Sequence, residues 1–271
     1  MDTDTAQAAV THPFPSWEAK GSEVISIVMP CLNEEAGIAQ CIAWAQEGLR
    51  RAGLPGEVIV ADNGSTDRSV EIARAAGARV VHQPLRGYGN AYHKGFAAST
   101  GRYIVMGDAD QTYDFREIDR LIAPLRKGAD YVLGSRFAGR ILPGAMPWTH
   151  RYIGNPVLTL ILNVLFGLKS SDAHSGLRAF TRDAYERMGL VSPGMEFASE
   201  LVIKAAQAKL KVAEVPITYY PRAGASKLNA LRDGWRHLRF MVAYRFGLTP
   251  EARVKAPALR LEPDDDVALN K

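Results

Sequence analysis

Short β-branched strands alternate with helical segments through the first half of this chain, and this alternation limits its fold more than any other feature. Val24–Met29, Val58–Ala61, Val80-Val81 and Tyr103–Met106 have the composition of buried strands. Between the first two of these strands, apolar residues recur at helical spacing over 38–49. The pattern predicts an α/β fold with a mostly parallel sheet and helices on both faces. Ligands bind such sheets at the carboxyl ends of the strands.

The second half of the chain is less regular, but it still separates into segments. Earlier in the chain, Ser65 or Thr66 is expected to cap a helix through Val70 and Ala73. Later segments comprise a helix at Phe115–Leu125, a strand at Tyr131–Leu133, a Gly/Pro-rich loop at Ala138–Pro147, an apolar helix at Trp148–Leu168, a helix at Glu196–Ala208 and a strand at Val212–Tyr219. A last amphipathic helix carries arginines on its polar side, namely Arg232, Arg236, Arg239 and Arg245.

Length, charge and cysteine content restrict the class of protein. The chain has 271 residues, which suits one large α/β domain. Its net charge of +4 is modest, and no basic stripe is interleaved with aromatic residues, so a nucleic-acid partner is not expected. Cys31 and Cys41 lie outside any CxxC motif and have no histidine cluster beside them. This argues against zinc or disulfides and favours a reducing, cytoplasmic compartment.

We expect a single folded domain with polar extensions. Residues 1–22 lack the apolar core of a secretory signal and are expected to form a flexible leader. The domain is expected over 23–230, followed by a basic amphipathic helix over 231–247 and a mobile tail over 248–271. The longest apolar stretch, 153–168, is interrupted by polar residues and is shorter than the roughly 20 residues of a spanning helix, so no transmembrane segment is expected.

Two carboxylates follow the strand Tyr103–Met106 and are the strongest chemical signal in the chain. Asp108 and Asp110 are separated by one residue, so both point to the same side of an extended backbone. Hard oxygen ligands of this kind suit Mg²⁺ or Mn²⁺, with the other positions left for water and phosphate oxygens. An isolated pair is also compatible with a solvated strand end. Two earlier strands also end in turns that carry carboxylates, at Asn33-Glu34 and at Asp62–Asp67, and together with the pair they favour a nucleotide-sugar site.

A glycine-containing loop over 87–90 superficially resembles a dinucleotide fingerprint. It follows the third strand rather than the first and lacks the complete GxGxxG pattern, so NAD binding is rejected. Close approach of another backbone at Gly87 and Gly89 is the simpler interpretation.

An ordered set of short motifs resembles the family 2 inverting glycosyltransferases of the dolichyl-phosphate mannose and polyprenyl-phosphate glucose synthase type. The resemblance covers roughly Val24 to Tyr244. The motifs are Pro30-x-x-Asn33-Glu34, Asp62-x-x-Ser65-x-Asp67, Gly87-x-Gly89-x-Ala91-Tyr92, Asp108-Ala109-Asp110, Gly134-Ser135-Arg136 and Arg222-x-Gly224-x-Ser226-Lys227. The resemblance implies a GT-A fold in a single domain, a GDP- or UDP-sugar donor, a divalent metal and a polyprenyl-phosphate acceptor.

The resemblance also implies roles for individual residues. Asp62 would contact the base or ribose of the donor, although Asp-Asn-Gly is a good turn sequence in any protein. Relatives have a metal-binding glutamine where this chain has Thr112, so Gln111 or water is the candidate for the third ligand. The implied donor site contains Pro30, Asn33, Glu34, Asp62, Gly89, Asp108, Ala109, Ser226 and Lys227. The implied metal ligands are Asp108, Asp110 and Gln111, the acceptor-phosphate residues are Ser135, Arg136, Arg151 and Arg222, and the catalytic residues are Asp110, Asp172 and Arg222.

The segment 172–178 and the helix after it contain further candidates. Asp172 and Arg178 are expected to pair and to shape the sugar pocket, whereas His174 is interpreted as a structural histidine. Glu196 and Glu200 lie four residues apart and share a helix face. If the acceptor is a hydroxyl, a general base is required, and Asp172, Glu196 and Glu200 are the candidates.

Two helices indicate a membrane-facing surface. The apolar helix around 157–166 and the basic helix around Trp235 together resemble segments that lie among lipid headgroups. The alternative is that both helices pack on the core. A peripheral location on the cytosolic membrane face is expected, with contact to a membrane-spanning partner as a further possibility.

The sequence therefore predicts a metal-dependent enzyme that moves a hexose from a nucleoside diphosphate to a polyprenyl phosphate. The acceptor phosphate is already ionised near neutral pH, so catalysis needs positioning and charge neutralisation rather than a strong base. Three alternatives remain: a glycosyltransferase with a hydroxyl acceptor, a sugar nucleotidyltransferase, and a noncatalytic subunit that keeps the fold.

Overall fold

The structure is a computed structural model and describes residues 23–224 and 230–253. The predicted leader, most of the predicted tail, and the donor-site candidates Ser226 and Lys227 lie outside the described residues. In chain order the elements are β1 (Ile25–Cys31), α1 (Ile38–Ala52), β2 (Gly56–Asp62), α2 (Ser69–Ala75), β3 (Arg79–His82), α3 (Tyr88–Ala98), β4 (Tyr103–Met106), α4 (Ile118–Arg126), β5 (Tyr131–Ile141), α5 (Asn155–Phe166), β6 (Arg178–Thr181), α6 (Arg182–Met188), α7 (Phe197–Gln207), β7 (Val212–Tyr219), α8 (Ala230–Arg245) and the short α9 (Pro250–Arg253).

The strands form one seven-stranded sheet in the order β3-β2-β1-β4-β6-β5-β7. Strands β1 to β4 are parallel to one another, and β5 is parallel to β7. Strand β6 is antiparallel to both of its neighbours. The predicted α/β architecture with a mostly parallel sheet is confirmed, and the carboxyl ends of β1, β2 and β4 lie side by side.

Alternation along the strands supplies an apolar layer on each face of the sheet. In β1, Ile25, Ile27 and Met29 face the layer that α1 and α4 cover, whereas Val28 faces the layer beneath α3, α6 and α7. A third apolar cluster lies between α5, α7 and α8 and includes Leu162. Because both faces of the centre of the sheet are covered, β1 and β4 are buried at almost every position, as is the second half of β2.

The loops after β1 and β2 are joined to each other, which corrects the predicted helix cap. Helix α2 begins at Ser69, and Asp67 Oδ1 accepts the Ser69 N–H at 2.9 Å. Ser65 Oγ instead accepts the Asn33 N–H at 3.0 Å, and Ser69 Oγ accepts the Glu34 N–H at 2.8 Å. The predicted cap at Ser65 or Thr66 is wrong because these residues belong to the loop that holds the end of β1.

Two predicted boundaries in the second half also differ from the structure. Strand β5 continues to Ile141, into the predicted loop, with a register shift between Ser135 and Arg140 relative to β7. Gly139 permits this pairing because a Cβ there would lie 2.1 Å from the Ile217 carbonyl oxygen. The predicted helix over 148–168 is a π-helical turn at His150–Gly154 followed by α5.

No sequence pattern predicted strand β6 or helix α6. The strand has four residues, too few for a periodic signal, and it begins with a charged residue, Arg178. The Arg178 side chain is fully buried because its guanidinium donates to the carbonyls of Ser175, Ala173 and Ala198 and to the Tyr131 hydroxyl. Burial of a charged group is tolerated when its hydrogen bonds are made. The expected pairing of Asp172 with Arg178 is therefore wrong.

Candidate active site

A cleft of about 710 Å³ opens at the carboxyl ends of the central strands. One end, here called the sheet end, is lined by the loops after β1, β2 and β4, with Pro30, Glu34, Asn63, Asp108 and Asp110. The other end, here called the helical end, is lined by the segments around α5, α7 and α8, with residues 144–147, His150, Leu158, His174, Met195, Ala198 and His237. The cleft lies where a doubly covered parallel sheet places its ligands.

Asp108 and Asp110 lie together at the sheet end and are held by different partners. Tyr88 donates its hydroxyl to Asp108 Oδ1 at 2.9 Å. Asp110 Oδ1 accepts the N–H of Thr112 at 3.0 Å and its hydroxyl at 2.5 Å. Burial and the neighbouring charge of Asp110 raise the pKa of Asp108 to about 7. Two adjacent carboxylates in such surroundings repel each other, so the site favours a bound cation.

Arg222 is the cation that the structure places against this acidic pair. Its Nη1 lies 2.8 Å from Asp110 Oδ2, and its Nη2 donates to Glu34 Oε1 at 2.7 Å. The loop that carries Arg222 is fixed to the loop after β4, because Ala223 N–H donates to the Asp110 carbonyl at 2.9 Å. The structure thus brings together Glu34, Asp110 and Arg222, which are far apart in the sequence.

The residues at the sheet end fit a divalent cation of the Mg²⁺ or Mn²⁺ type. Asp108 and Asp110 supply hard anionic oxygens, and the Asp110 carboxylate already faces a positive group. Within residues 23–224 and 230–253, no cluster of three or more His, Cys, Asp or Glu side chains forms a metal site. A cation here would therefore need oxygens from a ligand or from water.

The candidate third ligand, Gln111, is not placed with the pair. The cleft is lined by Asp110 and Thr112 but not by Gln111, which adopts a positive φ of 65° and lies beside Gly37 at the start of α1. Gln111 thus lies outside the cleft lining in this structure, and its assignment as a metal ligand stays a prediction.

Asp62 has a local role in this structure. Its carboxylate is almost fully buried and accepts the N–H groups of Gly64 at 3.2 Å and Ser65 at 3.1 Å. His82 Nδ1 lies 3.2 Å from its Oδ2. Burial opposes ionisation, but these hydrogen bonds outweigh it and lower the pKa of Asp62. Asp62 thus stabilises the turn after β2 and lies next to Asn63 of the cleft lining, and its contact with the donor stays a prediction.

Some of the other donor candidates line the cleft, and others lie outside the lining and fix the loops that form it. Pro30, Glu34, Asp108 and Ala109 line the sheet end. Asn33 lies outside the lining and accepts the Thr66 N–H at 2.7 Å, which fixes the loop after β1.

Gly89 is also outside the lining. A Cβ on Gly89 would lie 2.0 Å from the Ser192 carbonyl oxygen, which confirms the close backbone approach predicted for this loop. Gly89 therefore permits close packing against the backbone at Ser192, and its assignment to the donor site stays a prediction.

Arg136 and Asp172 form a buried ion pair beside the cleft. Asp172 accepts the backbone N–H of Arg136 at 2.9 Å, its Nε at 2.7 Å and its Nη2 at 2.7 Å. Burial alone would lower the pKa of Arg136, but the Asp172 charge outweighs it and raises that pKa. Arg136 lines the cleft, while Asp172 is fully buried and outside the lining. Asp172 therefore orients Arg136 and is not placed to contact a substrate, which corrects its assignment as a catalytic residue.

Two predicted phosphate contacts and two predicted bases are placed elsewhere. Ser135 is fully buried, and its hydroxyl lies 2.6 Å from that of Ser171. Arg151 lies against the ring of Tyr152 outside the lining. Glu196 accepts the Gly194 N–H, and the buried Glu200 accepts those of residues 191 and 192. Each of these four side chains is held by a neighbouring group of the protein, and sequence spacing does not reveal these contacts.

The helical end contains histidines that the sequence did not identify as a group. His174 Nε2 lies 3.1 Å from Ser199 Oγ, which in turn lies 2.9 Å from His237 Nδ1. The two imidazole rings are 4.9 Å apart and nearly perpendicular. Burial, His237 and the two nearby arginines, Arg178 and Arg136, lower the pKa of His174, which is therefore neutral. No sequence spacing relates His174 to His237, because only the packing of α8 brings them together.

Helices α5 and α8 carry exposed apolar side chains. On α5 these are Val157, Leu160 and Val164, which recur at helical spacing with up to 74% exposure. Trp235 on α8 and Phe246 just after its end are 65% and 70% exposed, whereas the buried side of α8 includes Phe240, Met241 and Tyr244. The two helices pack against each other. The part of the chain that the structure describes contains no helix long and apolar enough to cross a membrane.

The fold and the acidic pair at its strand ends define a glycosyltransferase with a GT-A fold. The chain belongs to glycosyl transferase family 2, whose family model matches residues 26–189. The predicted family and the predicted GT-A fold are confirmed.

Similar proteins show how far this assignment extends. The low-salt glycan biosynthesis hexosyltransferase Agl6 of Haloferax volcanii is 53% identical over 219 residues, which are 80% of this chain and 53% of Agl6. The chain thus spans about half the length of Agl6. A dolichyl-phosphate hexose transferase of the same organism is 33% identical over 78% of this chain and 89% of its own.

A solved structure of glucosyl-3-phosphoglycerate synthase from Mycobacterium tuberculosis, in complex with Mn²⁺, UDP and glucosyl-3-phosphoglycerate, superimposes with a TM-score of 0.67 at 27% identity. The match covers 88% of each chain.

Proposed function

We propose that this protein transfers a hexose from a UDP- or GDP-sugar to the phosphate of a polyprenyl phosphate, with inversion at the sugar carbon and with Mg²⁺ or Mn²⁺ as cofactor. The hexosyltransferase and dolichyl-phosphate hexose transferase among the relatives support the sugar and the acceptor. The Mn²⁺ and UDP of the structural neighbour support the metal and the donor.

The distribution of charge in the cleft carries this proposal. The described lining contains three carboxylates, Glu34, Asp108 and Asp110, and all of them lie at the sheet end. The helical end offers histidines, and Arg136 lines the cleft beside it, whereas the guanidinium of Arg178 is fully buried and hydrogen-bonded within the protein. An acceptor hydroxyl needs a base, whereas an acceptor phosphate is already ionised and needs positive partners. The cleft therefore suits an anionic acceptor.

In the proposed reaction, the residues of the chain mainly position charged groups. Asp108 and Asp110 would hold the metal ion, which neutralises the diphosphate leaving group. Arg136, fixed by Asp172, directs a guanidinium toward the acceptor phosphate. The acceptor oxygen attacks the sugar C1 in line, opposite the diphosphate. Arg222 is tied to Asp110 in this structure, so it must leave that carboxylate when a cation binds there.

The test is nucleoside diphosphate release from a panel of UDP- and GDP-sugars with Mn²⁺ or Mg²⁺, with and without a short prenyl phosphate. We expect nucleoside diphosphate release to depend on the lipid phosphate. Asp110→Ala should abolish this release without unfolding the protein. Asp183→Ala is the control, because that carboxylate is 63% exposed on α6. Metal-dependent transfer that survives Asp110→Ala would contradict the metal assignment.

The same panel separates the alternatives. The alternative of a hydroxyl acceptor is suggested by a second structure of glucosyl-3-phosphoglycerate synthase, which was solved with phosphoglyceric acid. In that case phosphoglycerate, rather than the prenyl phosphate, would stimulate release. Pyrophosphate release would indicate a sugar nucleotidyltransferase, and no release from any donor would indicate a noncatalytic subunit.

We also propose that α5 and α8 hold the protein on the cytosolic face of an anionic membrane. One helical stripe contains Trp235, Arg239 and Val242 on α8 and continues to Phe246, the residue after the helix. Apolar side chains can enter the headgroup layer while arginines pair with anionic lipids.

Vesicle co-sedimentation tests this surface. The double variant Val164→Ser/Trp235→Ser should lose binding to phosphatidylserine vesicles, whereas Val212→Ser, which alters an apolar side chain 50% exposed on β7, should not. Undiminished vesicle binding by the double variant would reject these helices as the membrane surface. Absence of binding by the wild-type protein would indicate a membrane-spanning partner instead.

A further inference from the structure

His174, Ser199 and His237 form a hydrogen-bonded chain at the helical end of the cleft. Ser199 Oγ lies between the two imidazoles, 3.1 Å from His174 Nε2 and 2.9 Å from His237 Nδ1. Ser199 is fully buried on α7, His237 is buried on α8, and both histidines line the cleft. The chain thus links two packed helices to the cavity.

The second nitrogen of His174 makes no hydrogen bond in the described protein. Its Nδ1 is buried and has no partner among the described residues. A buried polar atom without a partner destabilises the fold, so a side chain held in this position indicates that another molecule completes its hydrogen bonding. The imidazole lines a cleft large enough for a substrate, and a ligand in that cleft is within its reach.

The Ser199 hydroxyl has one proton, so it donates to one imidazole and accepts from the other. Two arrangements of the protons fit this chain. In one of them His237 Nδ1–H donates to Ser199 and Ser199 donates to His174 Nε2, so the proton of the neutral His174 ring is on Nδ1 and this nitrogen is a donor. Arg136 also lines the cleft, and an anion is the ligand that an N–H donor and a guanidinium would share. An anionic ligand would therefore select the arrangement with the Nδ1 donor.

We propose that His174 Nδ1–H is a binding group for the phosphate monoester of the acceptor, and that Ser199 and His237 position it and set its tautomer. The inference rests on the proposed function, since it names a contact to the acceptor in the same cleft. The ligand chemistry is a phosphate monoester, either of a prenyl lipid or of a small molecule such as phosphoglycerate.

A pair of substitutions separates binding by Nδ1 from the bond to Ser199. The amide of His174→Asn reaches about as far as Nδ1, so this variant keeps a donor near that position and loses the bond to Ser199. The longer His174→Gln places its amide near Nε2, so it keeps the Ser199 bond and loses the Nδ1 donor. We expect His174→Gln to raise the KM for the acceptor by about ten- to a hundredfold, the range for a hydrogen bond to a charged group, with the KM for the nucleotide sugar unchanged. His174→Asn should have the smaller effect.

A second measurement does not depend on turnover. In protein labelled with ¹⁵N-histidine, inorganic phosphate, a prenyl phosphate or phosphoglycerate should shift the His174 Nδ1 resonance, which the His174→Gln spectrum identifies. A shift with only the prenyl phosphate would identify a lipid acceptor, and a shift with only phosphoglycerate would identify a small-molecule acceptor. The latter result would retain the His174 site while overturning the polyprenyl-phosphate function.

Two results would overturn the inference. One is an unchanged Nδ1 resonance with all three phosphates. The other is a KM for the acceptor that His174→Asn raises as much as, or more than, His174→Gln, because the bond to Ser199 would then be the function of this histidine. Circular dichroism and nucleotide affinity of both variants show that the fold and the sheet end are intact.

Discussion

Asparagine in place of Asp172 would leave the Arg136 guanidinium buried without its counter-charge. The side chains of this pair are 7% and 0% exposed, and both carboxylate oxygens accept from the guanidinium at 2.7 Å. Removal of one partner of such a buried pair costs about 3–5 kcal/mol, because the remaining charge has no water to replace it. For a domain of this size, each kcal/mol lowers Tm by about 2–4 °C. We therefore expect Asp172→Asn to lower Tm by roughly 10 °C.

Urea and thermal denaturation, followed by circular dichroism, measure this effect. Asp183→Asn is the matched control, because Asp183 pairs with Arg187 at 3.3 Å on the surface and contributes less than about 1 kcal/mol. The double variant Asp172→Asn/Arg136→Met should regain most of the lost stability, since replacing both buried charges by neutral groups is nearly neutral. The double-mutant cycle thus isolates the pair.

The opposite result would refute this reasoning. If Asp172→Asn keeps the wild-type Tm and loses turnover, Asp172 acts in the reaction rather than through Arg136. A loss of stability that Arg136→Met does not relieve would mean that Asp172 is held by other contacts.

Two further changes test the sheet end and its support. Gly176→Ala would place a Cβ 2.8 Å from Asp108 Oδ2 and 3.0 Å from the Tyr113 ring. We expect this variant to weaken Mn²⁺ binding by about ten- to a hundredfold in calorimetric titrations, because Asp108 would be displaced. Unchanged affinity would show that Asp108 is not a ligand. Burial lowers the pKa of His93 to about 4, below its ordinary value of 6.5, so the unfolded chain binds the proton first as pH falls. Stability should therefore decline from pH 6.5 toward pH 4, by on the order of 3 kcal/mol at the lower limit, and His93→Gln should lack this part of the pH dependence; parallel curves for the two proteins would contradict it.

Local patterns were sufficient to predict the parallel strands β1 to β4 and the acidic pair, whereas the four-residue strand β6 gave no signal. Asp108 and Asp110 follow a strand of four apolar residues, and their shared direction depends only on the pleat of that strand. The β-branched runs likewise indicate β1 to β4, and in the central strands β1 and β4 burial on both faces keeps nearly every position apolar. The ordered motifs then identified the family without any knowledge of packing.

Tertiary structure alone decided which polar groups meet. Asp172 pairs with Arg136 rather than with Arg178, because the buried Arg178 satisfies its guanidinium with backbone carbonyls and a tyrosine hydroxyl. His174 and His237 are 63 positions apart in the sequence, yet their rings lie 4.9 Å apart because α8 packs beside α5 and α7. Hydrogen bonding between such groups depends on which elements pack together, and strand and helix periodicity contain no information about that choice.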